Sequence, residues 1–119
     1  MVMMFNYEYF KKKKTVIFLP HQDDELNTVY GMIDNIKKIG GKVKIVYSTN
    51  GDYSVDAEYR IKEAIKSLKV VNIESDNIIF LGYSDQAPEN KNHLYNENAK
   101  WISHSGISAT YLPHGKEYH

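Results

Sequence analysis

Pro20-His21-Gln22-Asp23-Asp24-Glu25 brings an imidazole and three carboxylates together in one short run of sequence. Zinc-assisted hydrolysis needs this kind of donor set: a few nitrogen or oxygen ligands, an open position for water, and a nearby base. His21 and Asp24, three apart across a turn, are spaced to address one ion, which leaves Asp23 to face the water beside it. Aspartates at a helix start have a plainer use, capping orphan N–H groups and meeting the positive end of the dipole. Spacing alone does not separate the two readings.

The elements around this run must put it at a binding edge. Thr15-Val-Ile-Phe-Leu19 is wholly apolar and rich in β-branched and aromatic residues, which reads as a strand buried on both faces. Leu26, Val29, Tyr30, Ile33 and Ile36 then fall on one helical stripe, and Gly40-Gly41 closes that helix. Lys42 to Ser48 alternates as a second strand, with Val43, Ile45 and Tyr47 on one side. A second helix carries Ile61, Ala64, Ile65 and Leu68, and Ile78-Ile79-Phe80-Leu81 supplies a third strand before Gly82. The expected strands are therefore Val16–Leu19, Val43–Ser48 and Ile78–Leu81, with helices over Glu25–Ile39 and Asp56–Leu68. Strand alternating with helix predicts an α/β fold with a parallel sheet and right-handed crossovers. Ligands in such sheets sit beyond the carboxyl ends of the strands. Pro20 to Asp24, Thr49 to Asp56 and Gly82 to Asn92 occupy that edge. Beyond Asn92 the sequence reads as polar and irregular, with Trp101, Tyr111 and Tyr118 scattered through it.

Composition narrows the chemistry. The 119 residues suit one small domain or a piece of a larger one. Fifteen basic and fifteen acidic side chains cancel, so nothing argues for nucleic acid as a partner. There is no cysteine, which removes disulfides and thiolate ligands and leaves histidine and carboxylate for any metal. That absence fits a cytoplasmic enzyme. Met1 to Phe10 is apolar and aromatic and precedes Lys11 to Lys14, the reverse of a secretory signal, and it is too short to span a bilayer. Residues 1–14 read as a lead-in whose lysines are solvated, and residues 15–119 as the N-terminal portion of an α/β domain.

His21-Gln22-Asp23-Asp24-Glu25 resembles the H-P-D-D-E signature of the PIG-L/LmbE-like zinc-dependent N-acetylglucosamine deacetylases, with Gln22 in place of the usual proline. Thr49-Asn50-Gly51-Asp52 is similar to that family's T-x-G-D/E loop. Tyr59-Arg60-Ile61-Lys62-Glu63-Ala64 is similar to its R-x-x-E-A helix, and Leu81-Gly82-Tyr83-Ser84-Asp85 to its L-G-Y-x-D. Gly106 to His119 looks like a stretch that some members carry in mid-domain. These matches run in order from Val16 to the end, and four in register are far more specific than one. The resemblance implies a Rossmann-like parallel sheet with flanking helices. It implies that His21 and Asp24 are Zn2+ ligands, that Asp23 is the general base, and that Arg60 and the Asp52 loop hold the substrate. The residues alone leave plainer roles open: Arg60 pairing with Glu63 on its helix, Asp52 or Asp85 closing a turn.

The reaction so implied is hydrolysis of an N-acetyl group from an N-acetylated amino sugar, with release of acetate. The family's third ligand is a histidine in a later D-x-H-x-D-H-type motif, and these residues contain none. His93, His104, His114 and His119 read as loop histidines. The expectation is a chain truncated at its C-terminus, with weak metal affinity and slight or absent turnover unless a downstream histidine motif is supplied. Two other readings compete: a non-catalytic metal-binding or assembly fragment, and an unrelated parallel-sheet phosphotransfer protein using magnesium and carboxylates. The second has no use for His21. Oligomeric state is left open.

Overall fold

The computed structural model describes residues 5–83, 85, 109–112 and 115–118. Strands β1 (Lys14–Leu19), β2 (Lys42–Thr49) and β3 (Ile78–Tyr83) run parallel, and β4 (Ala109–Leu112) and β5 (Gly115–Tyr118) extend the same sheet antiparallel, in the order β1-β2-β3-β4-β5. Between them lie α1 (Tyr30–Lys38), entered through a π-helical turn at Glu25–Val29, and α2 (Ala57–Val70). The parallel α/β core expected from the alternation of apolar runs is what forms. The hairpin of β4 and β5 was not expected, because four-residue strands in polar surroundings leave almost no periodicity to read. Among the described residues, no helix is long and apolar enough to cross a membrane.

Consecutive strand order with right-handed crossovers carries both helices to one face of the sheet. Ile33 and Ile36 of α1 and Ala64 and Leu68 of α2 pack there against Ile17, Leu19, Val43, Ile45, Tyr47, Ile78 and Phe80. The Tyr47 and Phe80 rings stack at 5.3 Å. Burial of β1 on both faces is corrected by this arrangement. Ile17 and Leu19 are buried, but Val16 and Phe18 on the opposite face are exposed, Phe18 by 69%. An apolar run shows that a strand has two hydrophobic faces; it does not show that both are covered.

The entry to α1 corrects a second expectation. A regular helix from Glu25 would bury Leu26 with Ile33. The π-helical turn ends at Val29, whose backbone leaves helical geometry (φ −125°, ψ 0°), so the phase set upstream is not kept. Leu26 is 53% exposed, while Glu25 is buried at 1%. Helix α1 ends as expected. Gly40 adopts φ +82°, and the N–H groups of Gly40 and Gly41 donate to the carbonyls of Lys37 and Ile36. Helix α2 starts on Asp56, whose carboxylate accepts the N–H of Glu58 at 2.9 Å.

Candidate functional site

The carboxyl ends of β1, β2 and β3 are stitched together before any reactive group is placed. Thr49 donates to the Pro20 carbonyl through both its N–H (3.0 Å) and its hydroxyl (2.9 Å). Asn50 donates its N–H to the Tyr83 carbonyl and its side-chain amide to the Gly82 carbonyl, both at 2.8 Å. Gln22, also buried, donates to the Thr49 carbonyl at 3.2 Å, a contact that proline in its place has no group to make. The three strand ends are one platform.

His21 stands on that platform between two carboxylates. Its Nδ1 lies 3.3 Å from Asp24 Oδ2, and its Nε2 lies 2.9 Å from Asp85 Oδ1. Asp24 Oδ2 also accepts the backbone N–H of His21 at 2.8 Å. Asp24 occupies the N-cap position of the π-helical turn yet makes no side-chain cap; the carboxylate turns back to the histidine. The plainer role for this aspartate, satisfying helix N–H groups, is thus not the one it takes here.

Asp23 has a backbone that side chains rarely adopt, with φ +109°. Such geometry costs about 1–3 kcal/mol and persists only where the surroundings impose it. Its carbonyl accepts the N–H groups of Leu26 and Asn27, and its own N–H donates to Glu25 Oε2 at 2.9 Å. The result is a carboxylate 60% exposed to solvent on a tightly held main chain. Arg60 reaches it from α2: Nη1 donates to the Gln22 carbonyl at 2.9 Å and lies 3.9 Å from Asp23 Oδ2. Asp52 is buried, and its Oδ1 accepts the N–H of Asp85 at 3.3 Å.

A groove of about 620 Å3 runs from Asp23 along α2, past Tyr59 and Arg60 to Lys66 and Ser67, with Glu25 in its lining. Below it the buried Tyr47 hydroxyl is held protonated well above its ordinary range, first by burial and then by the negative charge of Glu25. Among the described residues, no three His, Asp or Glu side chains converge as a metal site. His93, His104, His114 and His119, like Trp101, lie outside the described residues.

Every expected site residue therefore falls at one sheet edge. The structure brings His21, Asp24 and Asp85 into contact, sets Asp23 beside Arg60, and puts Asp52 behind Asp85. Sequence reasoning gave neither Gln22 nor Glu25 a role; the only signal for either was its place inside the signature. Gly51 closes the platform at φ +58°, and a Cβ there would sit 2.9 Å from Gln22 Oε1 and 3.0 Å from the Arg60 guanidinium. Gly51→Ala should cost at least about 1–2 kcal/mol from the left-handed backbone alone, before the contacts are counted. A denaturant midpoint no lower than that of wild type would contradict this geometry.

Compared with families of known proteins, residues 16–119 match the PIG-L family, described as GlcNAc-PI de-N-acetylase. No curated protein and no solved structure matches the chain.

Proposed function

Because the chain belongs to the PIG-L family of GlcNAc-PI de-N-acetylases, we propose that it removes the N-acetyl group of an N-acetylglucosamine-type substrate, with His21 and Asp24 as zinc ligands and Asp23 as general base. Membership carries deacetylase-type activity in general, and the family's enzymes are metal-dependent. The choice of zinc, of these residues and of this substrate is our reading.

The observation that carries it is the 3.3 Å between His21 Nδ1 and Asp24 Oδ2. Two ligands about 2.0–2.2 Å from a tetrahedral ion lie roughly 3.4 Å apart, so the pair already has the spacing of neighbouring donors. The opposite ring nitrogen faces Asp85, the arrangement that fixes the tautomer and raises the basicity of a ligating histidine. Catalytic zinc sites usually have three protein ligands, and the described residues supply two. Zinc there supplies a Lewis acid that makes water nucleophilic near neutral pH.

The chain's own groups do the rest. Asp23, exposed and rigidly based, takes the proton of the attacking water. Hydroxide adds to the acetamide carbonyl carbon, the C–N bond breaks as the amine nitrogen takes the proton that Asp23 received, and acetate leaves. The groove beside Asp23 takes the sugar, with Arg60 on its wall as the substrate contact. Buried Asp52 bears on the substrate through the Asp85 segment that it holds.

Acetate release from N-acetylglucosamine conjugates, measured against added Zn2+, tests the reading. Release should rise with zinc, vanish with a chelator and return on re-addition. A protein supplied with a third histidine ligand, with zinc bound at His21, that releases no acetate would sink it.

A further inference from the structure

Glu25 is the least expected group in the site. It is charged, buried, and one residue from the proposed ligand Asp24. Its two oxygens face in different directions. Oε2 accepts the N–H of Asp23 at 2.9 Å, and Oε1 accepts the Ser67 hydroxyl of α2 at 3.1 Å. Tyr47 of β2 lies close enough that the Glu25 charge, after burial, helps keep its hydroxyl protonated. A carboxylate has acceptor sites for several donors at once, and here it ties the His21–Asp24 turn and α2 to one point. The residue it holds by the backbone is the one with the disfavoured φ, Asp23.

We propose that Glu25 is a positioning residue: anchored by Ser67, it imposes the left-handed backbone of Asp23 and so aims that carboxylate at the water and the groove. The catalytic consequence rests on the deacetylase reading above; the conformational role does not. What matters is an acceptor at Oε2 rather than the charge itself. Glutamine has one carbonyl oxygen to accept the Asp23 N–H, and its amide can donate to Ser67 Oγ, so Glu25→Gln should preserve the geometry. Glu25→Leu fills a similar volume and accepts nothing.

The test reads amide hydrogen exchange of Asp23 in the metal-free 119-residue chain by NMR, for wild type, Glu25→Gln, Glu25→Leu and Ser67→Ala. Wild type and Glu25→Gln should protect this amide. Glu25→Leu should speed its exchange by roughly tenfold or more, the scale of one hydrogen bond. Ser67→Ala, which leaves the turn untouched, should speed it by a smaller factor. It carries the test alone if the leucine variant does not fold. Where turnover is measurable, Glu25→Leu should lower kcat and leave KM and zinc affinity as in wild type; a general loss of folding would move all three. Equal protection in a folded Glu25→Leu, or in Ser67→Ala where the leucine variant does not fold, overturns the proposal. The expected exchange pattern, beside zinc bound at His21 and no acetate release even when a third histidine ligand is supplied, would defeat the deacetylase reading and leave Glu25 in this role.

Discussion

Asp23→Asn should lower kcat for acetate release by roughly 10^2–10^4-fold, the usual contribution of a positioned general base, and leave zinc affinity unchanged. That corresponds to about 2.7–5.5 kcal/mol of transition-state stabilisation. The substitution is well matched to the site. Asparagine is among the few residues that tolerate positive φ, so the +109° backbone survives, and the N–H that donates to Glu25 remains. Only the ability to take a proton is lost. Arg60, 3.9 Å from Oδ2, loses a charged neighbour of which one partner is 60% exposed, a contact too solvated to matter much. Steady-state kinetics on zinc-saturated protein, with zinc binding measured in parallel, decide it. An asparagine variant that turns over like wild type would remove Asp23 from the chemistry. One that loses zinc would make it a ligand instead.

How much of this was legible beforehand depended on which interactions were local. Period is local, so β1, β2, β3, α2 and the end of α1 could be read to within a residue or two from runs such as Ile78-Ile79-Phe80 and the Ala64–Leu68 stripe. Coverage is not local. Val16 and Phe18 look like core residues, and only the consecutive strand order shows that both crossovers lie on the other face. The phase change at Val29 was equally invisible: the apolar spacing runs on unbroken through the π-helical turn, and the Ser67 contact on Glu25 comes from another helix.

The site divides the same way. His21, Asp23 and Asp24 stand together in sequence, and their residue types announce possible chemistry. What sets the Asp24 carboxylate apart from a helix cap is its direction, which turns back toward His21. Asp85 could be placed at the correct edge but not against the Nε2 of a residue 64 positions earlier. Glu25 presents the sharpest case. A buried glutamate is costly unless its oxygens are satisfied, and its partner Ser67 lies 42 residues away on an unremarkable stretch of helix. No spacing rule connects the two.

His21→Ala should abolish measurable zinc binding, and Asp85→Asn should weaken it by a graded 10–100-fold, about 1.4–2.7 kcal/mol. The difference follows from position. His21 Nδ1 is one of two proposed donors, 3.3 Å from the other at Asp24 Oδ2, so its removal leaves a single carboxylate that water readily replaces. Asp24→Asn should be nearly as damaging, because the amide that replaces the anion is a poor ligand for zinc even though it still accepts the His21 N–H. Asp85 acts from the far side of the ring. Its Oδ1 lies 2.9 Å from Nε2, where a carboxylate holds the proton on Nε2 and keeps Nδ1 free to donate its lone pair to a metal. Asparagine keeps an acceptor there and loses the charge, hence the smaller effect. Calorimetric titration with Zn2+, or competition with a chelating dye, gives the three affinities. Combining His21→Ala with Asp85→Asn should add nothing beyond His21→Ala alone, since residues acting through one ring are not additive. Wild-type affinity in His21→Ala would move the metal elsewhere. Undiminished affinity in Asp85→Asn, with His21→Ala dead, would reduce the Asp85 contact to a fold interaction and leave the histidine to be oriented by Asp24 alone.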